Sequence, residues 1–179
     1  MNSLQGKLLV SSPALVDPNF RKTVVLITHH DDEGAMGLVL SRPSEVPAEE
    51  AVPALGGLPG AADPVFVGGP VQPEAFMALA EFEDVDESAA AIFGDVGFMP
   101  AEAEPADLDV RRMRLFAGYA GWGPGQLEAE LAEPSWIVVT AEASDPFAND
   151  PDELWREVIH RKGGPFSLME NMPFDPGLN

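Results

Sequence analysis

The sequence predicts a single domain of mixed α and β structure, with many short strands and few helices. The chain has 179 residues, which is enough for one sizeable core and too few for two comfortable domains. Hydrophobic residues make up 45% of the chain, so a packed globule is expected. The 17 glycines and 18 prolines imply many turns between short elements.

The first half of the chain contains apolar runs that are typical of strands. The run 23–28 (TVVLIT) is apolar throughout, which indicates a strand buried on both faces. A polar segment ending in Gly34 joins it to the run 36–40, and together they predict a β-hairpin with a longer turn. The other elements predicted here are strands at 8–12 and 65–67 and a short helix around 48–55.

The middle of the chain is less regular. A strand is predicted at 75–82, and an irregular strand at 92–99 because Gly94 and Gly97 interrupt it. An acidic loop at 100–109 follows. These elements lead into the most ordered pattern of the sequence, at 114–140.

The segment 114–140 predicts strand, glycine turn, helix and strand in fewer than thirty residues. Residues 114–119 (RLFAGY) predict a buried strand, and AGWGPG predicts a turn. A short acidic helix is predicted at 126–133, and Pro134 ends it because proline has no N–H to donate. The β-branched and aromatic run 136–140 predicts the second strand.

The clearest helix of the sequence starts at Asp150. Aspartate is a good N-cap, Pro151 suits the first helical position, and Gly163 is a natural stop. The apolar face of this helix is predicted from four residues at helical spacing, namely Leu154, Trp155, Val158 and Ile159. The tail 165–179 is predicted to pack as an extended strap.

The charge of the chain excludes several function classes. A net charge of −20 repels phosphate backbones and anionic membranes, so direct nucleic-acid binding is disfavoured. The basic cluster of Arg111, Arg112 and Arg114 is expected to be a solvated strand face or a set of partners for nearby acids.

Without cysteine, the chain has no disulfide and no thiol catalysis. No apolar run approaches a membrane span and no signal peptide is evident, so a cytoplasmic location is expected.

The catalytic and nucleotide motifs that we considered are absent. The glycine turn at 118–125 matches neither GxxxxGK[ST] nor GxGxxG, and a structural turn with Trp122 packed over it is the favoured interpretation. No serine lies in GxSxG. The polar cluster at 29–33 begins with His29 and His30, which point to opposite faces of a strand, so a solvated hairpin tip is favoured over a metal site. No cofactor and no metal is expected.

A turn at 17–21 offers a second type of candidate site. Asp17, Asn19 and Arg21 place a carboxylate and a guanidinium near each other, an arrangement that suits a small polar ligand. The same residues also fit an Asx-type turn in which Arg21 satisfies loop carbonyls. Both interpretations remain open at this point.

Several motifs in order resemble the YqgE/AlgH family of bacterial proteins. They are SSPALVDPNFRKTVVLI, HDDEGAMGLVLSRP with His30 as its histidine, VFVGGPVQP, LFAGYAGWGPGQLEAELAEPSW, LWREVI and MPFDPGLN. The match runs from about Gly6 to the end of the chain. Ser41 departs from the family pattern, which usually has Asn there, and the acidic segments 44–63 and 100–109 have no clear counterpart.

The resemblance implies a single α+β domain covering 1–179, with a mixed β-sheet curled into a partial barrel and helices packed outside. It also implies a cytosolic protein whose biochemical activity the family does not define, and one branch carries the name of a transcriptional regulator. The family supplies no agreed catalytic residues. The positions that match its motifs are therefore candidates for binding a ligand or partner, namely Asp17, His30, Gly69, Trp122, Gln126 and Glu128.

The leading hypothesis is a non-enzymatic protein that binds a small molecule or a protein partner and acts indirectly in regulation. In this hypothesis Trp122, Gln126 and Arg21 converge on one cleft at the sheet ends. An alternative is a hydrolase-like enzyme with Asp17 or Glu128 as general base and His30 as its partner. A third is direct DNA binding, which the net charge opposes.

Overall fold

The structure is a computed structural model that describes residues 3–12, 22–101, 104–133 and 136–163. Ten strands in these residues form one sheet. The strands are β1 (Lys7–Ser11), β2 (Val24–Asp31), β3 (Gly34–Val39), β4 (Pro43–Pro47), β5 (Pro64–Val67), β6 (Val71–Phe82), β7 (Ala90–Phe93), β8 (Val96–Phe98), β9 (Val110–Trp122) and β10 (Trp136–Thr140).

The sheet is mostly antiparallel and has β9 at its centre. Its main strand order is β10-β1-β2-β3-β9-β6-β8-β7, and β4 pairs with β5 beside this path. The pairing of β5 with β9 is parallel, which makes the sheet mixed. Strand pairing leaves β10 and β7 as its two ends, so the sheet is not closed. The α+β class is therefore confirmed, whereas the predicted curl into a partial barrel stays a prediction.

Each of the three α-helices in the described residues covers a different part of the core. They are α1 (Ala48–Ala51), α2 (Gln126–Leu131) and α3 (Pro151–Lys162). α3 buries Trp155 against β1 and β2, α2 buries Leu127 beside Trp122 and Trp136, and α1 buries Ala48 against β6 and β9. None of the helices in the described ranges has the length and apolar character needed to span a membrane.

The helix α3 follows the sequence prediction closely. The Asp150 side chain accepts hydrogen bonds from the backbone N–H groups of Asp152 and Glu153, as an N-cap should. Trp155 is fully buried, and its indole N–H donates to the carbonyl oxygen of Ser11 at 3.3 Å. The indole therefore ties the middle of α3 to the end of β1.

Replacing Asp150 by alanine is expected to lower the free energy of unfolding by about 1 kcal/mol, because two N–H groups of the first turn lose their acceptor. Urea denaturation followed by circular dichroism measures the change. Asp150→Ser is the matched control, since a serine hydroxyl caps the same groups and should retain most of the stability. Equal losses in both variants would contradict the capping role.

Several predicted strand boundaries were wrong because strand pairing extends beyond the local pattern: β6 begins at Val71 and β9 at Val110, each four residues earlier than predicted. β2 continues to Asp31, so His29 and His30 lie in a strand instead of a loop, and only a two-residue turn precedes β3. β9 continues to Trp122, three residues into the predicted glycine turn. Residues 120–122 pair with 35–37 of β3, and this long-range partner is what keeps them extended.

The predicted irregular strand at 92–99 is in fact two strands. β7 and β8 form a hairpin that turns at Gly94, whose φ of 50° fits the left-handed region. β4 was missed because prolines occupy both of its ends. It pairs only with β5, at the kind of edge position where strand prolines are tolerated. The predicted helix at 48–55 ends early, since Pro53 begins a separate 3-10 turn.

The chain passes from one edge of β9 to the other through Gly68 and Gly69. β5 lies on one edge and β6 on the opposite edge. Between them, Gly69 lies directly against the Tyr119 carbonyl group, where an added Cβ would overlap backbone atoms. The two glycines therefore let the backbones cross at close contact, and they bring Val71 to the end of β9 near α2.

Candidate functional site

A cleft of about 420 Å³ lies between α2, the end of β9 and the start of β6. Pro70 and Val71, which follow Gly68 and Gly69 in the chain, line this cleft, and so does Gly121 of β9. We call this feature the α2 cleft. Its volume falls within the roughly 300–1,000 Å³ that is usual for small-molecule sites.

One face of α2 and the residues after it form a wall of the cleft. Gln126, Ala129, Glu130 and Glu133 all line it. These positions follow the spacing i, i+3, i+4 and i+7, which places residues on one side of a helix. The helical spacing was visible in the sequence, so Ala129, Glu130 and Glu133 could have been grouped with Gln126 before the structure was known.

Two tryptophans contribute aromatic surface to the cleft. Trp122 at the end of β9 and Trp136 at the start of β10 are each 7% exposed, and both pack in the cluster that contains Leu127. The indole N–H of Trp136 donates to Oε1 of Glu130 at 3.4 Å. This contact links the aromatic part of the cleft to one of its carboxylates. Trp136 was not among the site residues predicted from the sequence, because its approach to α2 depends on the pairing of β10 with β1.

The glycine turn before α2 is held by Gln126. Its Oε1 accepts a hydrogen bond from the backbone N–H of Gly123 at 2.9 Å, and its backbone N–H donates to the Gly123 carbonyl at 3.0 Å. Gly125 has φ 75°, a conformation that favours glycine, and precedes the first helical residue. The turn is thus internally bonded, which agrees with the favoured structural interpretation of the glycine-rich segment.

His30 and Glu128 form a contact on the face of α2 that points away from the cleft. Nε2 of His30 lies 2.5 Å from Oε1 of Glu128, and Nδ1 accepts a hydrogen bond from the backbone N–H of Leu4 at 3.0 Å. Because Nδ1 accepts, the proton of a neutral ring lies on Nε2 and is donated to the carboxylate. The His30 side chain is 1% exposed. It therefore joins β2, the N-terminal segment and α2.

His29 differs from His30 although the two are adjacent. Its side chain is 61% exposed and contacts Asp31 across 2.8 Å. The backbone N–H of Glu33 and the His29 side chain together lower the pKa of Asp31 below its ordinary value. The two histidines therefore lie in different environments, as expected for neighbours on a strand.

Replacing His30 by phenylalanine is expected to speed amide hydrogen exchange at Leu4 by at least about tenfold, because the N–H of Leu4 loses its acceptor. Amide exchange measured by NMR reports this change directly. His29→Phe is the matched control and should leave Leu4 unaffected, since the His29 ring is exposed and bonded locally. Unchanged protection of Leu4 in the His30 variant would contradict the proposed tie.

The structure brings some of the predicted site residues together and separates others. Trp122 and Gln126 line the α2 cleft, and Gly69 directly precedes Pro70 at its border. His30 and Glu128 contact each other outside the cleft. The remaining three candidates lie outside the described residues, so their place relative to the cleft stays a prediction; they are Asp17, Asn19 and Arg21.

The three arginines at the start of β9 have different surroundings. Arg111 pairs with Glu83 and Asp95, which raise its pKa, and Arg112 pairs with Glu81. Arg114 is 2% exposed and lies within the fold. Arg111 and Arg112 are thus partners for nearby acids, as expected, whereas a solvated face was the wrong prediction for Arg114, because its guanidinium is buried.

Comparison with known proteins gives a consistent family assignment. The family model described as AlgH-like matches residues 8–167. UPF0301 protein SCO2948 of Streptomyces coelicolor is 42% identical over 187 residues, covering 100% of this chain and 97% of that protein. A UPF0301 protein of Mycobacteroides abscessus is 36% identical over 181 residues, covering 97% of this chain and 87% of that protein.

Two solved structures share the fold. The crystal structure of protein DIP2367 from Corynebacterium diphtheriae has a TM-score of 0.87 at 26% identity, covering 96% of this chain and 94% of that one. The solution structure of AlgH from Pseudomonas aeruginosa has a TM-score of 0.73 at 30% identity, covering 97% of each chain. Ordered motifs, a family match over most of the chain and a shared fold agree, and the chain belongs to the AlgH-like family.

Proposed function

We propose that this protein is a cytosolic, non-enzymatic regulatory protein that binds a small molecule in the α2 cleft. The observation that carries the proposal is the cleft itself, which combines two indole rings with the polar face of α2 in a volume of about 420 Å³. Small-molecule sites typically combine apolar and aromatic walls with a few polar groups that orient the ligand. Gln126, Glu130 and Glu133 supply such groups.

The position of the cleft supports a regulatory role for binding. Its walls come from α2, from β9 at the centre of the sheet, and from the crossing at Gly68 and Gly69. A ligand there contacts elements that are far apart in the sequence, so it stabilises their relative arrangement. A ligand that binds the folded chain and not the unfolded chain stabilises the fold, by an amount that rises with the logarithm of ligand concentration above the dissociation constant.

A second candidate is the hydrolase-like enzyme, and the contact between His30 and Glu128 favours it. A base and its partner within hydrogen-bond reach is the geometry that general base catalysis requires. Against it, both ring nitrogens of His30 are engaged, one by Glu128 and the other by Leu4, and the ring is buried. The binding proposal therefore has the better support.

Direct DNA binding has less support than either. The exposed guanidinium groups of Arg111 and Arg112 are each paired with carboxylates, which reduces the positive charge they offer to phosphates. The net charge of −20 acts in the same direction. An electrophoretic shift on duplex DNA at about 50 mM salt, where such binding is strongest, would revive this candidate.

The three tryptophans provide an internal test of the proposal. Each contributes one indole N–H signal to a proton–nitrogen NMR spectrum. Trp122 and Trp136 line the cleft, whereas Trp155 is on the buried face of α3 and does not line it. Adding the small-molecule fraction of an extract from the protein's own host should shift the first two signals and leave the third in place. Shifts confined to Trp155, or none at all, would contradict the proposal.

Two phenylalanine substitutions, one on α2 and one at its C-cap, control this experiment. Ala129 lines the cleft, so Ala129→Phe should fill it and abolish the ligand-induced shifts. Ala132 is also exposed but is not among the residues that line the cleft, so Ala132→Phe should leave the shifts intact. Ligand-induced shifts that survive Ala129→Phe would place the binding site elsewhere.

A further inference from the structure

We propose that the ligand of the α2 cleft is an organic cation, an amine or quaternary ammonium group carried on an apolar body. The inference rests on the proposed function, since it assigns a chemical class to the same site. It follows from the charge and the aromatic surface that the cleft presents.

Among the residues that the structure describes, the charged groups lining the cleft are carboxylates. Glu130 and Glu133 lie on its helical wall, and no lysine, arginine or histidine is among the described residues that line it. A bound anion would meet these two negative groups with no cation from the described part of the chain to offset them. A bound cation is attracted by both carboxylates, and because Glu133 is exposed this attraction weakens as salt is added.

The aromatic walls add a second attraction for a cation. Trp122 and Trp136 both line the cleft, and indole is the side chain whose ring attracts cations most strongly. Trp136 also donates its N–H to Glu130, which fixes one carboxylate beside the ring. An ammonium group placed at this corner contacts an indole ring and a carboxylate together, while its apolar body lies against Val71 and Ala129.

The net charge of the whole chain also favours a positively charged ligand. The chain carries a net charge of −20, which concentrates cations near its surface and speeds their association. This field alone gives no specificity. The cleft supplies specificity by combining the carboxylates with shaped aromatic and apolar walls.

Three compounds with the same body and different charges test the inference. They are 4-phenylbutylamine, 4-phenylbutanol and 4-phenylbutyrate, which are cationic, neutral and anionic at pH 7. Titrations followed by the indole signals should show the amine binding at least about tenfold tighter than the alcohol, and the acid weakest. Added salt should weaken amine binding.

Charge-neutralising variants locate the effect in the cleft. Glu130→Gln combined with Glu133→Gln should remove most of the preference for the amine, and glutamine keeps an acceptor for the Trp136 N–H. The control pair, Glu49→Gln with Glu50→Gln, makes the same change in net charge on α1 outside the cleft. It should leave the preference for the amine intact.

The outcomes separate this inference from the proposed function. Equal binding of all three compounds, or tighter binding of the acid, would overturn the cationic assignment and leave the small-molecule site standing. If none of the three compounds shifts the Trp122 and Trp136 signals while the host fraction does, the cationic assignment is likewise overturned and the small-molecule site remains. A preference for the amine that both glutamine pairs reduce equally would assign it to the general field and overturn the inference.

Discussion

Replacing Gly69 by alanine is expected to lower the free energy of unfolding by on the order of 4 kcal/mol. A Cβ at this position overlaps the backbone carbonyl of Tyr119 and the N–H that follows it. Backbone atoms in a central strand cannot move aside as the end of a flexible side chain can. The backbones at Gly69 and Tyr119 must therefore move apart. This movement disturbs the pairing of β9 and the adjacent border of the α2 cleft.

Urea denaturation of the Gly69→Ala variant measures this loss, and Gly121→Ala is its matched control. Gly121 also lies on β9 at the cleft, but the nearest atoms to an added Cβ are side-chain atoms at 3.7 Å, an ordinary contact distance. The control should change stability little. Equal stabilities for the Gly69 variant and the wild type would mean that the glycine crossing is not needed for tight packing.

Replacing Arg114 by alanine is expected to lower the free energy of unfolding by about 3 kcal/mol. The guanidinium is buried, lies 4.2 Å from the ring centre of Phe66, and donates to the carbonyl oxygen of Ala148 and the side chain of Asn149. Burial lowers the pKa of Arg114, and the carboxylate of Asp63 opposes that effect. Truncation removes the packing of the buried guanidinium and leaves the half-buried carbonyl oxygen of Ala148 without this donor.

Arg111 on the same strand provides the comparison. Its ion pairs with Glu83 and Asp95 are exposed, so solvent screens them, and Arg111→Ala should leave the denaturation midpoint almost unchanged. The informative quantity is the difference in free energy of unfolding between Arg114→Ala and Arg111→Ala. Similar losses of stability in both variants would show that the buried contacts of Arg114 do not stabilise the fold more than the exposed ion pairs of Arg111 do.

Local patterns were sufficient to predict α3 and β10. Asp150, Pro151 and Gly163 mark the helix ends by their own backbone chemistry, and the apolar face is a property of spacing alone. β10 was predicted with its observed bounds because a β-branched and aromatic run stands between turn signals. The family was also predictable, since its motifs occur in order along the chain.

The elements that depend on distant partners were not predictable in the same way. Residues 120–122 open a stretch rich in glycine and proline that favours a turn, and they are extended because β3 pairs with them. β4 has proline at both ends and is a strand only beside β5. In both places tertiary pairing overrides the local preference.

The candidate site was predictable in part for the same reason. Trp122 and Gln126 stand close together in the sequence, so their grouping in the cleft needs only a turn and the start of a helix. Val71 lies near α2 because the chain crosses β9 at Gly69. No local sequence pattern indicates which element follows that crossing in space. The acidic wall of the cleft could have been found by extending the helical spacing from Gln126.

Native mass spectrometry of protein purified gently from its own host tests the central claim most directly, by comparison with the denatured mass. The account predicts an added small mass that disappears on denaturation and that is absent from the Ala129→Phe variant. A bare native mass, or a complex with another protein chain and no small molecule, would contradict small-molecule binding in the α2 cleft.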